Sequence, residues 1–217
     1  MKTGIIGGTF NPIHNAHLKI ATELLEYCQL DRVIFIPAAL PPHKHAAKIV
    51  AFEHRLQMVR CAISAQRQFE VSDIERQRGG KSYSVDTLKQ LHQRYPADEF
   101  YFLIGMDSFI NIATWHKYKQ LFTLCNLVIA QRPGATKPEQ PPELPVAIRQ
   151  QFCYDAKLDL YRHKSGHRLI FLQETFLDIS STQIRKKIAQ QQPIETLLPA
   201  PVAQYIHAHK LYVPPER

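Results

Sequence analysis

The sequence has few cysteines and no long apolar run. Its four cysteines, Cys28, Cys61, Cys125 and Cys153, lie far apart, and no pair has Cys-x-x-Cys spacing. We therefore expect reduced structural thiols in a cytoplasmic protein rather than disulfides or a metal site. No apolar stretch approaches the roughly 18 residues that cross a bilayer, and residues 1–4 lead directly into a strand. We expect neither a membrane span nor a signal peptide.

Recognition motifs for nucleic acids are also missing. The net charge of +8 and the pI near 9.4 favour an anionic partner. The basic residues are nevertheless spread along the chain, without zinc-finger spacing or an aromatic ribonucleoprotein signature. We expect no nucleic-acid partner, and charge alone does not identify the anion. The 217 residues, 45% of them hydrophobic and 21% charged, are typical of one globular domain, residues 1–217.

Strand and helix signals alternate along the chain. Apolar or alternating runs predict strands at residues 3–6, 32–37, 69–74, 99–105, 126–130 and 169–172. Helical periods predict helices at 18–27, 52–65, from 84, near 107, near 114, at 182–191 and at 202–209. The proline-rich residues 133–145 predict a surface loop. Ser84 is expected to cap its helix with its hydroxyl.

This alternation predicts an α/β fold with one Rossmann-like, doubly wound parallel sheet. Helices would cover both faces of the sheet, and a helical segment would end the chain. In such sheets ligands bind beyond the carboxyl ends of the strands, near the point where the strand order reverses. We therefore expect the site in the loops that follow Ile6, Ile36, Ile104 and Ile129.

The loop after the first strand carries the most informative motif, GGTFNPIHNAH at residues 7–17. His14 and His17 are three residues apart, so both imidazoles share one face of the helix that begins there. The free backbone N–H groups and the dipole at a helix start favour a negative group. The motif predicts a phosphate site.

Other predicted loops add cations and hydroxyls. Residues 37–44 form a proline-rich loop that ends in Lys44, and the only tryptophan, Trp115, follows the fourth strand. Residues 179–185, ISSTQIR, place hydroxyls at a helix start with Arg185 one turn later, which predicts a second anion cradle.

Each of these residues also has an ordinary structural interpretation when it is taken alone. His14 and His17 could be a helix cap and a half-buried ring, and Trp115 could be a core residue. Lys44 could be a solvated charge, and Asp107, like Ser84, could only cap a helix. Two motifs together favour phosphate binding: the glycine turn, which we define as residues 7–13, and the predicted helix start at residues 179–185 with its serines and Arg185.

Together these motifs resemble the nucleotidyltransferase superfamily with an H-x-G-H motif, and within it the bacterial nicotinate-nucleotide adenylyltransferases. The matching segments are residues 7–17, 41–44, 82–84, 104–107, 114–115 and 179–185, in the family's order. The sequence departs from the family pattern at Ala16, where glycine is usual, and at Asn11, where aspartate is common.

The resemblance implies adenylyl transfer from ATP to nicotinate mononucleotide, giving deamido-NAD and pyrophosphate, in NAD biosynthesis. It implies that Mg²⁺ arrives with the ATP phosphates and takes no ligand from the protein. By matched position, the catalytic residues would be His14, His17 and Arg185. ATP would contact Gly7, Gly8, Thr9, Phe10, Lys44, Gly105, Asp107, Ser181 and Thr182. Nicotinate mononucleotide would contact Tyr83, Ser84 and Trp115.

Two alternatives stay open at this point. A sister enzyme could adenylylate nicotinamide mononucleotide, phosphopantetheine or another phosphate ester, and the pocket around Trp115 and Ser84 would distinguish it. The chain could also be a nucleotide sensor or nucleic-acid-binding protein without catalysis, in which case ATP, Mg²⁺ and the mononucleotide would release no pyrophosphate.

Overall fold

A computed structural model describes residues 1–41, 49–130, 143–172 and 177–214. Within these ranges one sheet contains β1 Lys2–Gly8, β2 Arg32–Pro37, β3 Phe69–Val71, β4 Glu99–Gly105, β5 Asn126–Ala130, β6 Phe152–Asp155, β7 Leu160–His163 and β8 Arg168–Leu172. The helices are α1 Asn15–Tyr27, α2 Phe52–Ile63, α3 Ile74–Arg78, α4 Ser84–Arg94, α5 Met106–Ile110, α6 Tyr118–Leu121, α7 Val146–Arg149, α8 Ser181–Ala189 and α9 Ala200–Ala208. A 3₁₀ turn, Ile112–Thr114, follows α5.

The strand order is β3-β2-β1-β4-β5-β8-β7-β6. The first six strands in this order, β3-β2-β1-β4-β5-β8, pair in parallel. Strands β6 and β7 form a hairpin at one edge, and β7 pairs antiparallel with β8. The chain runs outward from β1 to β3 on one side and from β4 to β8 on the other. The order therefore reverses between β1 and β4, and the α/β, Rossmann-like prediction is confirmed.

Two apolar cores lie on opposite faces of the sheet because successive strand residues point to opposite faces. Ile6 packs on one face with residues of α1, α2, α8 and α9, including Leu24 and Ile184. Ile5 packs on the other face with residues of α4, α5, α6 and α7, including Leu88 and Phe109. Helices thus cover both faces, as the continuous apolar strands predict.

Several local predictions were wrong. The third strand ends at Val71 rather than at residue 74, and the short helix α3 begins at Ile74. The residue that caps α4 is Tyr83, without a side-chain hydrogen bond, so Ser84 is the first helical residue and not the cap. The β6–β7 hairpin was not predicted. Most of the proline-rich segment 133–145 lies outside the described residues.

The four cysteines are free thiols. Burial raises the pKa of the Cys28 thiol to about 11, which keeps it protonated and inert near neutral pH. No helix within the described ranges is long and apolar enough to cross a membrane.

Candidate active site

A cavity of about 380 Å³ opens at the carboxyl ends of the central strands. Its lining comes from four strand ends and the loops that follow them: Gly7 and Gly8 at the end of β1, Thr9 after β1, Ala38 after β2, Gly105 at the end of β4 and Ala130 at the end of β5. The cavity therefore lies at the reversal of the strand order between β1 and β4, within the size range of small-molecule sites.

The glycine turn connects β1 to α1 and positions a histidine pair. Phe10 has a left-handed φ of 47°, and a cis peptide joins Asn11 to Pro12. The Phe10 ring is buried and lies edge-on to the His17 ring, with 5.2 Å between centroids. Phe10 is thus a core residue that supports His17, and its side chain is not part of the described cavity lining.

The two imidazoles lie against each other, with 3.7 Å between their centroids. The backbone N–H of His14 donates to Nδ1 of His17 at 3.2 Å, so in the neutral ring the His17 proton is on Nε2. His17 lines the cavity, whereas His14 is only 6% exposed and is absent from the described lining. Burial lowers the pKa of His14 to about 4, and its Nδ1 has no partner within the described residues. His14 is therefore neutral at pH 7.

The amino end of α8 lies beside the amino end of α1. Ser181 Oγ donates to the Pro12 carbonyl at 2.8 Å, and Arg185 Nη1 donates to the Asn11 carbonyl at 2.8 Å. Arg185 Nη2 also donates to Thr182 Oγ1 at 3.2 Å. The two predicted anion cradles therefore meet at the Asn11–Pro12 peptide. None of the three α8 residues is in the described cavity lining, so the cradle adjoins the cavity rather than forming its wall.

At Asn11, where the resemblance leads us to expect aspartate, the contacts explain why an amide fits. Its Oδ1 accepts hydrogen bonds from the Tyr212 hydroxyl at 2.9 Å and from the Val50 N–H at 3.3 Å. An amide oxygen meets both donors without adding a buried negative charge beside the predicted phosphate site.

Another part of the cavity lining is aromatic. Tyr83, Ser84 and Trp115 all line it. The Tyr83 ring stacks on His116, with 4.4 Å between centroids and 28° between planes. Trp115 lies edge-on to Phe102 at 6.5 Å. The three residues predicted for the mononucleotide are therefore brought together.

A buried acid that the sequence did not single out also lines the cavity. Glu75, in α3, lines the cavity, where its Oε2 accepts from the Ala39 N–H at 3.3 Å. Its Oε1 accepts from the Thr87 hydroxyl at 2.7 Å. Ser82 Oγ accepts from the Leu40 N–H at 3.1 Å and so binds the same loop. Glu75 was missed because it belongs to no recognisable motif in the sequence. His116, also in the lining, carried no signal beyond its position after the fourth strand.

The predicted glycines differ in what they do. A Cβ on Gly8 would lie 3.0 Å from the Phe10 ring, so internal packing favours glycine there. A Cβ on Gly7 would make an ordinary 3.7 Å contact with Phe102, and one on Gly105 would meet nothing within 4 Å. The protein itself therefore leaves room for a side chain at Gly105, on the cavity wall. Asp107 is exposed in α5, and Lys44 lies outside the described residues.

Comparisons with known proteins agree with this arrangement. The profile of the cytidylyltransferase-like family matches residues 5–187. A protein of Syntrophotalea carbinolica is 54% identical over 217 residues, all of both chains, and one of Geotalea daltonii is 51% identical over 212 residues, 98% of both. Both carry the name "Probable nicotinate-nucleotide adenylyltransferase".

Solved structures share the fold at lower sequence identity. The Plasmodium falciparum nicotinic acid mononucleotide adenylyltransferase complexed with NaAD has a TM-score of 0.72 at 21% identity, covering 98% of each chain. The same enzyme complexed with APC has a TM-score of 0.71 at 20% identity, covering 97% of this chain and 96% of that one.

Proposed function

The chain belongs to the cytidylyltransferase-like family and, within it, to the nicotinate-nucleotide adenylyltransferases, and we propose that its reaction takes place in the glycine-turn cavity. It transfers the adenylyl group of ATP to nicotinate mononucleotide, giving deamido-NAD and pyrophosphate, in NAD biosynthesis. The observation that carries the proposed location is the meeting of the α1 and α8 amino ends beside that cavity.

The reaction needs positioning more than nucleophile activation. An oxygen of the mononucleotide phosphate, already anionic, forms a bond to the α-phosphorus of ATP. The bond from that phosphorus to the bridging oxygen breaks, and the electron pair leaves with pyrophosphate. The protein must align the two phosphates and stabilise the departing charge.

The histidine pair and α8 supply that stabilisation in our proposal. His17 donates from Nε2 to an ATP phosphate oxygen, since its Nδ1 is occupied by the His14 N–H. The backbone N–H of His14 orients His17. The neutral His14 ring, with its proton on Nδ1, would donate to the same ligand. Arg185 holds the β- and γ-phosphates, with the N–H groups and hydroxyls of Ser181 and Thr182. Lys44 remains a further proposed phosphate contact.

The nucleoside parts fill the remaining surface. We assign the pyridine ring to the face of Trp115, and its carboxylate to hydrogen bonds around Tyr83 and Ser84. The adenosine ribose lies against Gly105 and Asp107, because the open space at Gly105 lets a ligand approach the backbone closely.

The metal in this proposal is Mg²⁺ carried by the ATP phosphates. Glu75 is the carboxylate in the described lining, and both of its oxygens already accept hydrogen bonds. The described residues contain no cluster of three or more histidines, cysteines or acids that could hold a metal ion. Mg²⁺ keeps several waters and is commonly held by substrate phosphates, which is the arrangement we propose. The ion would neutralise charge on the departing pyrophosphate.

The same reasoning extends to organisation and compartment. We propose that residues 1–217 form one nucleotidyltransferase domain, because both cores share a single sheet. The free thiols support a reducing compartment, the cytoplasm.

Steady-state pyrophosphate release, with ATP and Mg²⁺ fixed, tests the acceptor assignment. We expect faster release with nicotinate mononucleotide than with nicotinamide mononucleotide, because the pocket is assigned to a carboxylate. Equal kcat/KM values for the two acceptors would contradict the assignment, and no release with either would favour a nucleotide sensor.

A further inference from the structure

Helix α2 buries an arginine whose role the reaction scheme leaves open. Arg55 is 2% exposed and is among the largest fully buried side chains. Its Nη1 donates to the Thr9 carbonyl at 2.8 Å, and its Nε donates to the Val50 carbonyl at 3.2 Å. Its guanidinium carbon lies 5.3 Å from the centre of the Phe52 ring.

The guanidinium has hydrogen-bond partners but no bound counter-charge. Two of its N–H groups donate to carbonyl oxygens, which carry only partial charge, and no ion pair found among the described residues includes Arg55. Glu53 and Glu75 act on it only through space, and burial lowers its pKa from the ordinary value. The group stays protonated because arginine ionises far above neutral pH.

Burying this unpaired charge lowers the stability of the folded chain unless a group from outside the chain interacts favourably with it. Removing an ion from water costs a large desolvation free energy, so a protein with an apolar side chain of similar volume in its place is often as stable or more stable. An anionic ligand that approaches the buried charge would provide the missing compensation.

The contact between Arg55 and Thr9 indicates that this anionic ligand is the triphosphate of ATP. Thr9 lines the cavity in the turn that is assigned to the ATP phosphates, and Arg55 binds the carbonyl of this same residue. Because the Thr9–Phe10 peptide is trans, fixing its carbonyl toward Arg55 directs the Phe10 N–H the opposite way. The same constraint helps to hold Phe10 at its left-handed φ, with its ring against His17.

We propose that Arg55 is a positioning residue for ATP, which fixes the Thr9–Phe10 peptide and places a buried positive charge behind the triphosphate site. The inference rests on the proposed function, which assigns the triphosphate to this turn. A charge in this place acts on the phosphates more strongly than on the nucleoside. It should therefore favour ATP over AMP, since the two share the adenosine and differ in phosphate charge.

Binding of ATP and of AMP, each measured by calorimetry without the acceptor, tests the proposal. The variants are R55M, which removes the charge, and R55K, which keeps it but cannot reach both carbonyls with one planar group. R60M is the matched control, because Arg60 is exposed on the same helix and its loss changes the net charge equally.

We expect R55M to lose about tenfold or more in ATP affinity and less than about threefold in AMP affinity, the scale of one charge-assisted contact. R55K should show a smaller loss that is also selective for ATP, and R60M should match the wild type. Equal losses for ATP and AMP, or unchanged ATP affinity in folded R55M, would overturn the proposal. If R55M does not fold, R55K decides by the same criterion. A wild-type protein that binds ATP no more tightly than AMP would instead refute the assignment of the turn to the triphosphate.

Discussion

Replacing Arg185 by methionine should separate catalysis from folding, because the side chain contributes little to stability and much to the proposed transition state. In the free protein it makes hydrogen bonds to the Asn11 carbonyl and the Thr182 hydroxyl and is half-buried. Each such bond contributes about 1 kcal/mol net, and water can replace part of it. R185M should therefore fold, with a free energy of unfolding lower by only about 1–2 kcal/mol.

The cost in the transition state should be larger. Loss of one preorganised donor to developing charge costs about 2.7–4 kcal/mol, or about 10²- to 10³-fold in kcat. Pyrophosphate release at saturating substrates measures this loss, and urea unfolding measures stability. The exposed neighbour Lys186 provides the control, since K186M removes a charge from the same helix and should keep wild-type turnover. A kcat for R185M within about threefold of the K186M value would refute the assigned role.

Three further outcomes follow from the cavity and the histidine pair. G105A should keep the wild-type Tm, because its Cβ meets no protein atom within 4 Å. It should raise the KM for ATP, since the Cβ would occupy space assigned to the ribose, and an unchanged KM would contradict that assignment. W115A should raise the KM for nicotinate mononucleotide more than the KM for ATP, and a selective loss of ATP affinity would contradict the stacking assignment. Because the pKa of His14 falls from 6.5 to about 4 on folding, the unfolded chain takes up a proton that the folded chain does not between these pH values. Stability should therefore fall as the pH drops from 6.5 to 4, by on the order of 3 kcal/mol from this group. Urea unfolding should show a shallower pH dependence in H14Q over that window, and an unchanged slope would contradict the burial argument.

The parts of the fold that the sequence predicts best are the central strands. Arg32–Pro37, Glu99–Gly105 and Asn126–Ala130 have the predicted bounds because both faces of these strands are buried, which requires a continuous apolar run. The β6–β7 hairpin and α3 escaped prediction because they have only four or five residues each, so neither a period of 2 nor one of 3.6 stands out.

The candidate site also contains some residues that the sequence predicts and others that it does not. The places of the glycine turn, the histidine pair and the serines of α8 could be predicted, because each belongs to a short contiguous motif at a helix start. Their binding of phosphate stays a prediction. Glu75 and Arg55 could not be predicted, since their roles come from contacts with segments far along the chain: Ala39 for Glu75 and Thr9 for Arg55. A buried charge gives no local pattern in a sequence; only its tertiary partners reveal it.

The most direct test of the central claim is a crystal structure of this protein with a non-hydrolysable ATP analogue and Mg²⁺. One triphosphate should lie with its oxygens within about 3 Å of both His17 Nε2 and the Arg185 guanidinium, beside the glycine turn. A triphosphate bound away from this turn, or one that contacts only one of these two side chains, would contradict it.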